Sequence, residues 1–288
     1  MIKTILVPAT GNQTDAANLA AALQVARSFA AHIDVLHVRL DPVEAAVAMT
    51  NDATGGMLLD GLIERLEADA KTRADKTRRE FTDFWARERL SIALAPTSAE
   101  HHPSAQFHVE TGDEARWTAA YGLTADLIVV PRGAPDDAAS RSLLETVLLE
   151  TGRPLLIPSA SAPSVAMSDR IAIAWKPTPQ AARAVAAAMP LLAHAKEITV
   201  MTVGEDDSRR DEAERLVTSL AWHGLRATVQ RLTPNSRGAA ETLFAAATEK
   251  SGLLVMGGYG HNRLREWVFG GFTQRVLADA PLPVLIAH

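Results

Sequence analysis

Four short apolar segments from the first half of this chain recur in the second half, in the same order. Lys3–Pro8 (KTILVP) is echoed by Asp169–Ala174 (DRIAIA), and His32–Val38 (HIDVLHV) by Glu197–Val203 (EITVMTV). Leu127–Val130 (LIVV) returns as Leu253–Met256 (LLVM), and Gly152–Ile157 (GRPLLI) as Pro281–Ile286 (PLPVLI). A repeat of this kind narrows the choice of architecture to two copies of one domain. Each copy opens with a short apolar strand, a loop and an Ala-rich helix. Strands that alternate with helices favour a parallel sheet with right-handed crossovers. The expected fold is α/β, with two tandem doubly wound domains that each hold a five-stranded parallel sheet. A length of 288 residues allows each domain its own core.

The expected domains are residues 1–158 and 169–288. Between them, Pro158–Ser168 (PSASAPSVAMS) is small, polar and proline-bearing. It is too short to let the halves roam. In the first half, strands are expected at Thr4–Pro8, Asp34–Arg39, Gln106–Glu110 and Leu127–Val130, with helices near 14–30 and 114–121. A long helix is expected from about Leu58 to Arg89. Its apolar positions (Leu59, Leu62, Leu66, Ala70, Ala74, Thr77, Phe81, Trp85) step by three or four and form one stripe.

Composition excludes several classes. There is no run of 18 apolar residues, so no membrane-spanning segment is expected. A strand begins within the first five residues, which argues against a signal peptide. With no cysteine, the chain has neither disulfides nor thiolate metal sites, and the cytoplasm is the expected compartment. A net charge of −5 and 5% aromatic residues argue against nucleic acid as a partner. His101, His102 and His108 lack the spacing of a metal-ligand set, and Asp136–Asp137 reads as a solvated turn. The mixed charges of the long helix, including Arg73 and Lys76, read as a water-facing side. No nucleophile elbow and no Walker-type lysine is present.

The most informative segment for function is Leu253–His288. A short apolar strand is followed at once by Gly257, Gly258 and Gly260. Nine residues then separate Gly260 from Gly270. Gly270-Gly271-Phe272-Thr273 opens a stretch of helical spacing, which Pro281 and Pro283 end before a last strand. Glycines after a strand and before a helix let backbone N–H groups approach an anion. The helix N-terminus adds partial positive charge. The same glycines also serve tight turns or close helix packing.

These residues resemble the nucleotide-binding members of the universal stress protein family. That family's pattern is Gly-x-x-Gly, nine residues, then Gly-Ser or Gly-Thr. Gly257, Gly260 and Gly270 stand at the pattern positions. Gly271 replaces the hydroxyl residue, and Thr273 lies two positions on. The resemblance implies a tandem pair of such domains packed as a pseudo-dimer. It also implies a stress-response regulatory protein that binds an adenine nucleotide, ATP or AMP, with or without Mg²⁺.

Residue by residue, the resemblance points to Ala174, Trp175 and Lys176 after the first strand of the second half. It points also to Met256, Gly257, Gly258, Gly260, His261 and Arg263 in the loop, and to Gly270, Gly271, Phe272 and Thr273 at the helix start. Backbone N–H groups around Gly258–His261 and Gly271–Thr273 are expected to hold the phosphates. Lys176 stands where the family carries an aspartate, and a lysine cannot accept a hydrogen bond. It reaches an acidic ligand or lies in solvent, and Trp175 stacks on a base or joins the core. In the first half, Pro131, Ala134 and Arg141 stand at the glycine positions, so one ligand per chain is expected, in the second half. No catalytic residue is assigned. Glu266 is the loop's one carboxylate, so a slow nucleotide hydrolase is the weaker reading. A surface-acting protein without nucleotide, an unknown protein partner and a homodimer of the tandem chain stay open.

Overall fold

The computed structural model describes residues 1–12, 14–49, 56–95, 102–132, 138–159, 166–204, 210–236, 238–258 and 281–288. They form two compact units. The first takes Met1–Pro131 and Arg141–Thr151, and the second takes Arg132–Ser140 and Gly152–His288.

In the first unit, β1 (Thr4–Pro8) leads through α1 (Asp15–Phe29) to β2 (His32–Arg39). Two helices follow, α2 (Pro42–Met49) and the long α3 (Gly56–Glu88). Then come β3 (Ser91–Ile92), β4 (Ser104–Thr111), α4 (Glu114–Gly122), β5 (Leu127–Val129) and α5 (Ala138–Glu150). The strand order is β3-β4-β2-β1-β5, and each pairing is parallel. Such a sheet is covered on both faces, which is why its central strands read as unbroken apolar runs. Ile5, Leu6, Val7, Leu127, Ile128 and Val129 are all buried.

The stripe on α3 packs as its spacing predicts. Ala70, Ala74, Thr77, Phe81 and Trp85 are buried. Phe81 stacks on Trp85 with ring centroids 4.8 Å apart and meets Phe107 of β4 at 5.2 Å. The opposite face of the sheet carries a polar chain. His32 Nδ1 lies 2.8 Å from Ser104 Oγ, and His108 Nε2 lies 2.8 Å from Asp34 Oδ1. Burial pushes the Asp34 carboxyl up, but hydrogen bonds from His32 and His108 outweigh it and hold the group below its usual range. Among the described residues no cluster of three or more ligating side chains could hold a metal ion.

Tyr121 of α4 donates a 2.7 Å hydrogen bond to Glu110 Oε1 of β4. Burial, the bond to Glu110 and the charges of Glu110 and Asp34 push the phenol up to about 12. A phenol pKa raised above its unfolded value of about 10 contributes stability that is full below that pH. The contribution is lost as pH rises through about 12. We expect ultraviolet difference titration of a Tyr259→Phe variant to show Tyr121 ionising near that pH, and Glu110→Gln to lower it. A Tyr121 that titrates at the ordinary value in the parent would show this bond to be absent in solution.

In the second unit, β6 (Leu155–Ile157) precedes β7 (Arg170–Ala174), α6 (Pro179–Leu192) and β8 (Glu197–Val203). There follow α7 (Arg210–Trp222), β9 (Ala227–Leu232), α8 (Ala239–Lys250), β10 (Leu253–Gly257) and β11 (Val284–Ala287). The order is β6-β11-β10-β7-β8-β9. Five of these strands run parallel, and β6 pairs antiparallel with β11. The repeat segment at Gly152–Ile157 was expected to supply a strand to the first half. That segment forms β6, and the short β3 pairs parallel with β4 in the first unit. Among the described residues no helix is long and apolar enough to cross a membrane.

Candidate functional site

Parallel α/β sheets bind ligands at the carboxyl ends of their strands. In the second unit that edge is built by β7, β8, β10 and β11. Met256 pairs with Ala174 on one side and Ile286 on the other. The N–H of Trp175 donates to Met201 O at 2.9 Å, so Trp175 continues β7 beside the end of β8. The structure therefore brings Ala174, Trp175, Lys176, Met256, Gly257 and Gly258 to one edge. Gly260, His261, Arg263, Gly270, Gly271, Phe272 and Thr273 lie outside the described residues, as do Arg265 and Glu266.

Gly257 has a specific packing duty. A Cβ placed there would stand 2.5 Å from the Ala181 nitrogen and 2.6 Å from the Gln180 carbonyl carbon. Both atoms are backbone in the first turn of α6. That turn is fixed by Thr178, whose hydroxyl accepts from the Ala181 N–H at 3.2 Å, and by Pro179 at the first helical position. A helix N-terminus thus lies directly against the end of β10. Gly257 leaves room for that close backbone approach.

Gly258 follows at the same edge. Its N–H donates to Ala287 O at 2.8 Å, extending the β10–β11 ladder. The Gly258 carbonyl lies 3.3 Å from His288 Nδ1. This N–H is engaged within the sheet and is not free to hold a phosphate. Any backbone cradle must begin beyond it.

Lys176 is exposed. Trp175 is half-buried, and its indole N–H is buried without a hydrogen-bond partner among the described residues. Two further buried atoms at the same edge share that state, Gln180 Oε1 and Thr202 Oγ1. Buried polar groups are normally paired, so such atoms mark a place where another molecule can complete the set. Sequence reasoning missed both residues. Thr202 carried a signal, since it continues the buried alternate row of Ile198 and Val200 with a hydroxyl. Gln180 carried none beyond its place after the helix-starting proline.

The corresponding edge of the first unit differs in chemistry. Ala9 N donates to Leu36 O at 2.8 Å, as Trp175 N does to Met201 O. Thr10, the counterpart of Lys176, turns inward and gives its N–H and hydroxyl to Asp15 Oδ1, both at 3.2 Å. Asp15 Oδ2 accepts from the Gly11 N–H at 2.7 Å. Burial pushes the Asp15 carboxyl up, against the lowering effect of these hydrogen bonds. His37 occupies the place of Thr202. Of the residues at the first-half glycine positions, Pro131 and Arg141 are described and Ala134 is not.

Comparison with known proteins agrees with this architecture. The model of the universal stress protein family matches residues 1–157 and again residues 167–288. No curated protein sequence matches the chain at a significant level. Among solved structures, a universal stress protein from Archaeoglobus fulgidus is 15% identical. The likeness covers 99% of this chain and 95% of that one, with a TM-score of 0.65. A putative universal stress protein from Pseudomonas aeruginosa is 16% identical over 99% of this chain and 93% of its own, with a TM-score of 0.55. At these identities the structures speak for the fold, and the repeated family match speaks for descent. The chain belongs to the universal stress protein family and carries two copies of its domain in tandem.

Proposed function

We propose that this protein is a stress-response regulator that binds one adenine nucleotide, ATP or AMP, in its second unit and acts through the bound state. The observation that carries the reading is the glycine pattern that starts at the carboxyl end of β10. Gly257 opens it against the α6 N-terminus, and Gly260 and Gly270 continue it at the family's spacing. Backbone donors from Gly260 and His261 and from Gly271 to Thr273 hold the phosphates, with Arg263 as charge partner. The indole N–H of Trp175, the side-chain carbonyl of Gln180 and the Thr202 hydroxyl, each without a partner among the described residues, supply donors and acceptors for the uncharged part of the ligand.

Hydrolysis is the second reading. It needs a group that positions water and usually a metal, and the loop offers only Glu266. A regulator that is occupied, rather than a catalyst that turns over, fits this inventory better. Lys176 in the aspartate position favours a third reading, a protein that acts through its surface without nucleotide.

Titration calorimetry with ATP and with AMP tests the proposal. We expect one nucleotide per chain, and Lys176→Asp should tighten AMP relative to inorganic phosphate by restoring an acceptor. Two equivalent sites, or no heat with either nucleotide, would overturn it. A turnover assay with and without Mg²⁺ separates the regulator from the hydrolase.

A further inference from the structure

We propose that the carboxyl edge of the first unit is a separate site, built from side chains, that takes the oxyanion of a small molecule between Arg39 and His37. The ligand class is a phosphate monoester or a carboxylate. This site needs no glycine cradle and does not rest on the nucleotide reading of the second unit.

The geometry begins with β2. Its alternate residues Ile33, Val35, His37 and Arg39 share one face of the sheet. The first two are fully buried and apolar, and the row then turns basic at the strand's end. His37 is only 2% exposed. Its Nδ1 lies 2.7 Å from Ala9 O, so Nδ1 carries the proton and donates it. That leaves Nε2 as an acceptor in the neutral ring, and it is buried with no partner among the described residues. Two residues on, the Nε of half-buried Arg39 is likewise buried with no partner among the described residues. A buried acceptor and a buried cationic donor therefore stand side by side, each unmet.

The surrounding charges do not fill the gap. Asp15 is the nearest acid, but its carboxylate is bound by Thr10 and Gly11. Lys76 of α3 donates to Gly11 O at 3.1 Å and pairs with Glu80 at 3.6 Å. Arg73 of α3 lays its stem over Gly11, with Cγ 3.0 Å from where a Cβ would stand. Its head is exposed and has no acceptor among the described residues. Burial pushes the His37 imidazole down, and the charges of Arg73 and Arg39 add to it, against the raising effects of the Ala9 bond and the Asp15 charge.

The chemistry of the ligand follows. A singly protonated phosphate gives its O⁻ to Arg39 and its P–OH proton to His37 Nε2. A carboxylate or dianionic phosphate instead draws a proton onto Nε2, which then donates. Arg73 roofs the loop and meets no acceptor among the described residues, so its head can turn to the ligand. The same register position in the second unit is Thr202, which carries no charge, so the two edges select different ligands.

The test is nitrogen NMR of the nine histidine rings in the full chain, with the His37 signals assigned by His37→Gln. Inorganic phosphate and acetate are the probes. We expect saturable shifts of the His37 Nε2 signal, and Arg39→Gln should weaken the titration about tenfold or more, as loss of a charged hydrogen bond does. Arg73→Gln, at an exposed position, should keep the fold and weaken binding less. ATP binding should be unchanged in both variants. Saturation by phosphate alone identifies a phosphate monoester as the ligand, and saturation by acetate identifies a carboxylate. Unmoved His37 signals with both anions would overturn the proposal. So would a titration that Arg73→Gln and a folded Arg39→Gln both leave intact.

Discussion

Gly270→Val abolishes binding of ATP and AMP while the protein stays folded; that is the expected result of the most direct test of the nucleotide site. Gly270 stands where the family pattern brings the backbone to the phosphates at a helix start. A branched side chain there occupies the space the ligand needs, and it restricts the backbone angles open to glycine. Helix N-termini hold anions through several N–H groups and the helix dipole together. Blocking the approach therefore removes all of those contacts at once. Thr273→Ala removes at most one neutral hydrogen bond, worth about 0.5–1.5 kcal/mol, or a few-fold to about tenfold in affinity. The order of the two effects is what matters. Equal nucleotide affinity in the parent and in a folded Gly270→Val variant would reject the cradle, and the surface-acting reading would replace it.

The repeat made the fold legible because each copy must bury the same apolar strands. β1 and β7, β2 and β8, and β5 and β10 were all marked by short apolar runs, and long α3 by its stripe. Two elements gave no such signal. The short helix α2 buries Ala46 but exposes Val43 and Val47, so no apolar stripe marked its pattern. The two-residue β3 is exposed and has no side-chain alternation to read. At the candidate site, Trp175, Lys176 and the glycines were found by their order along the chain. Gln180, Thr202, His37 and Arg39 were not, because their interest lies in having no partner. That is a property of the folded surroundings. The motif could not show that Gly258 would give its N–H to Ala287 either, since the two are 29 residues apart.

Gly257→Val should instead damage stability, and comparing it with Gly270→Val separates the two duties of glycine in one pattern. Gly257 ends β10, which lies between β7 and β11. The atoms that a Cβ would strike are the Ala181 nitrogen and α-carbon, at 2.5 and 2.9 Å, and the Gln180 carbonyl carbon. None is the tip of a flexible side chain. To make room, the first turn of α6 must move away from the sheet. That strains the Thr178 cap and opens the packing of the buried Ala181, Ala184 and Val185. Overpacking a close-packed interior costs about 1–3 kcal/mol and occasionally more. The rigid backbone contact places this case at the upper end. With urea slopes of about 1–3 kcal/mol per molar, the second unit's unfolding midpoint should fall by about 1 M or more. Even Gly257→Ala should lose stability, because the clash begins at the β-carbon. Trp175 fluorescence in an otherwise Trp-free background would follow the second unit. An unchanged midpoint in both variants would mean that α6 does not press on β10 in solution. The glycine at that position would then owe its place to the ligand after all.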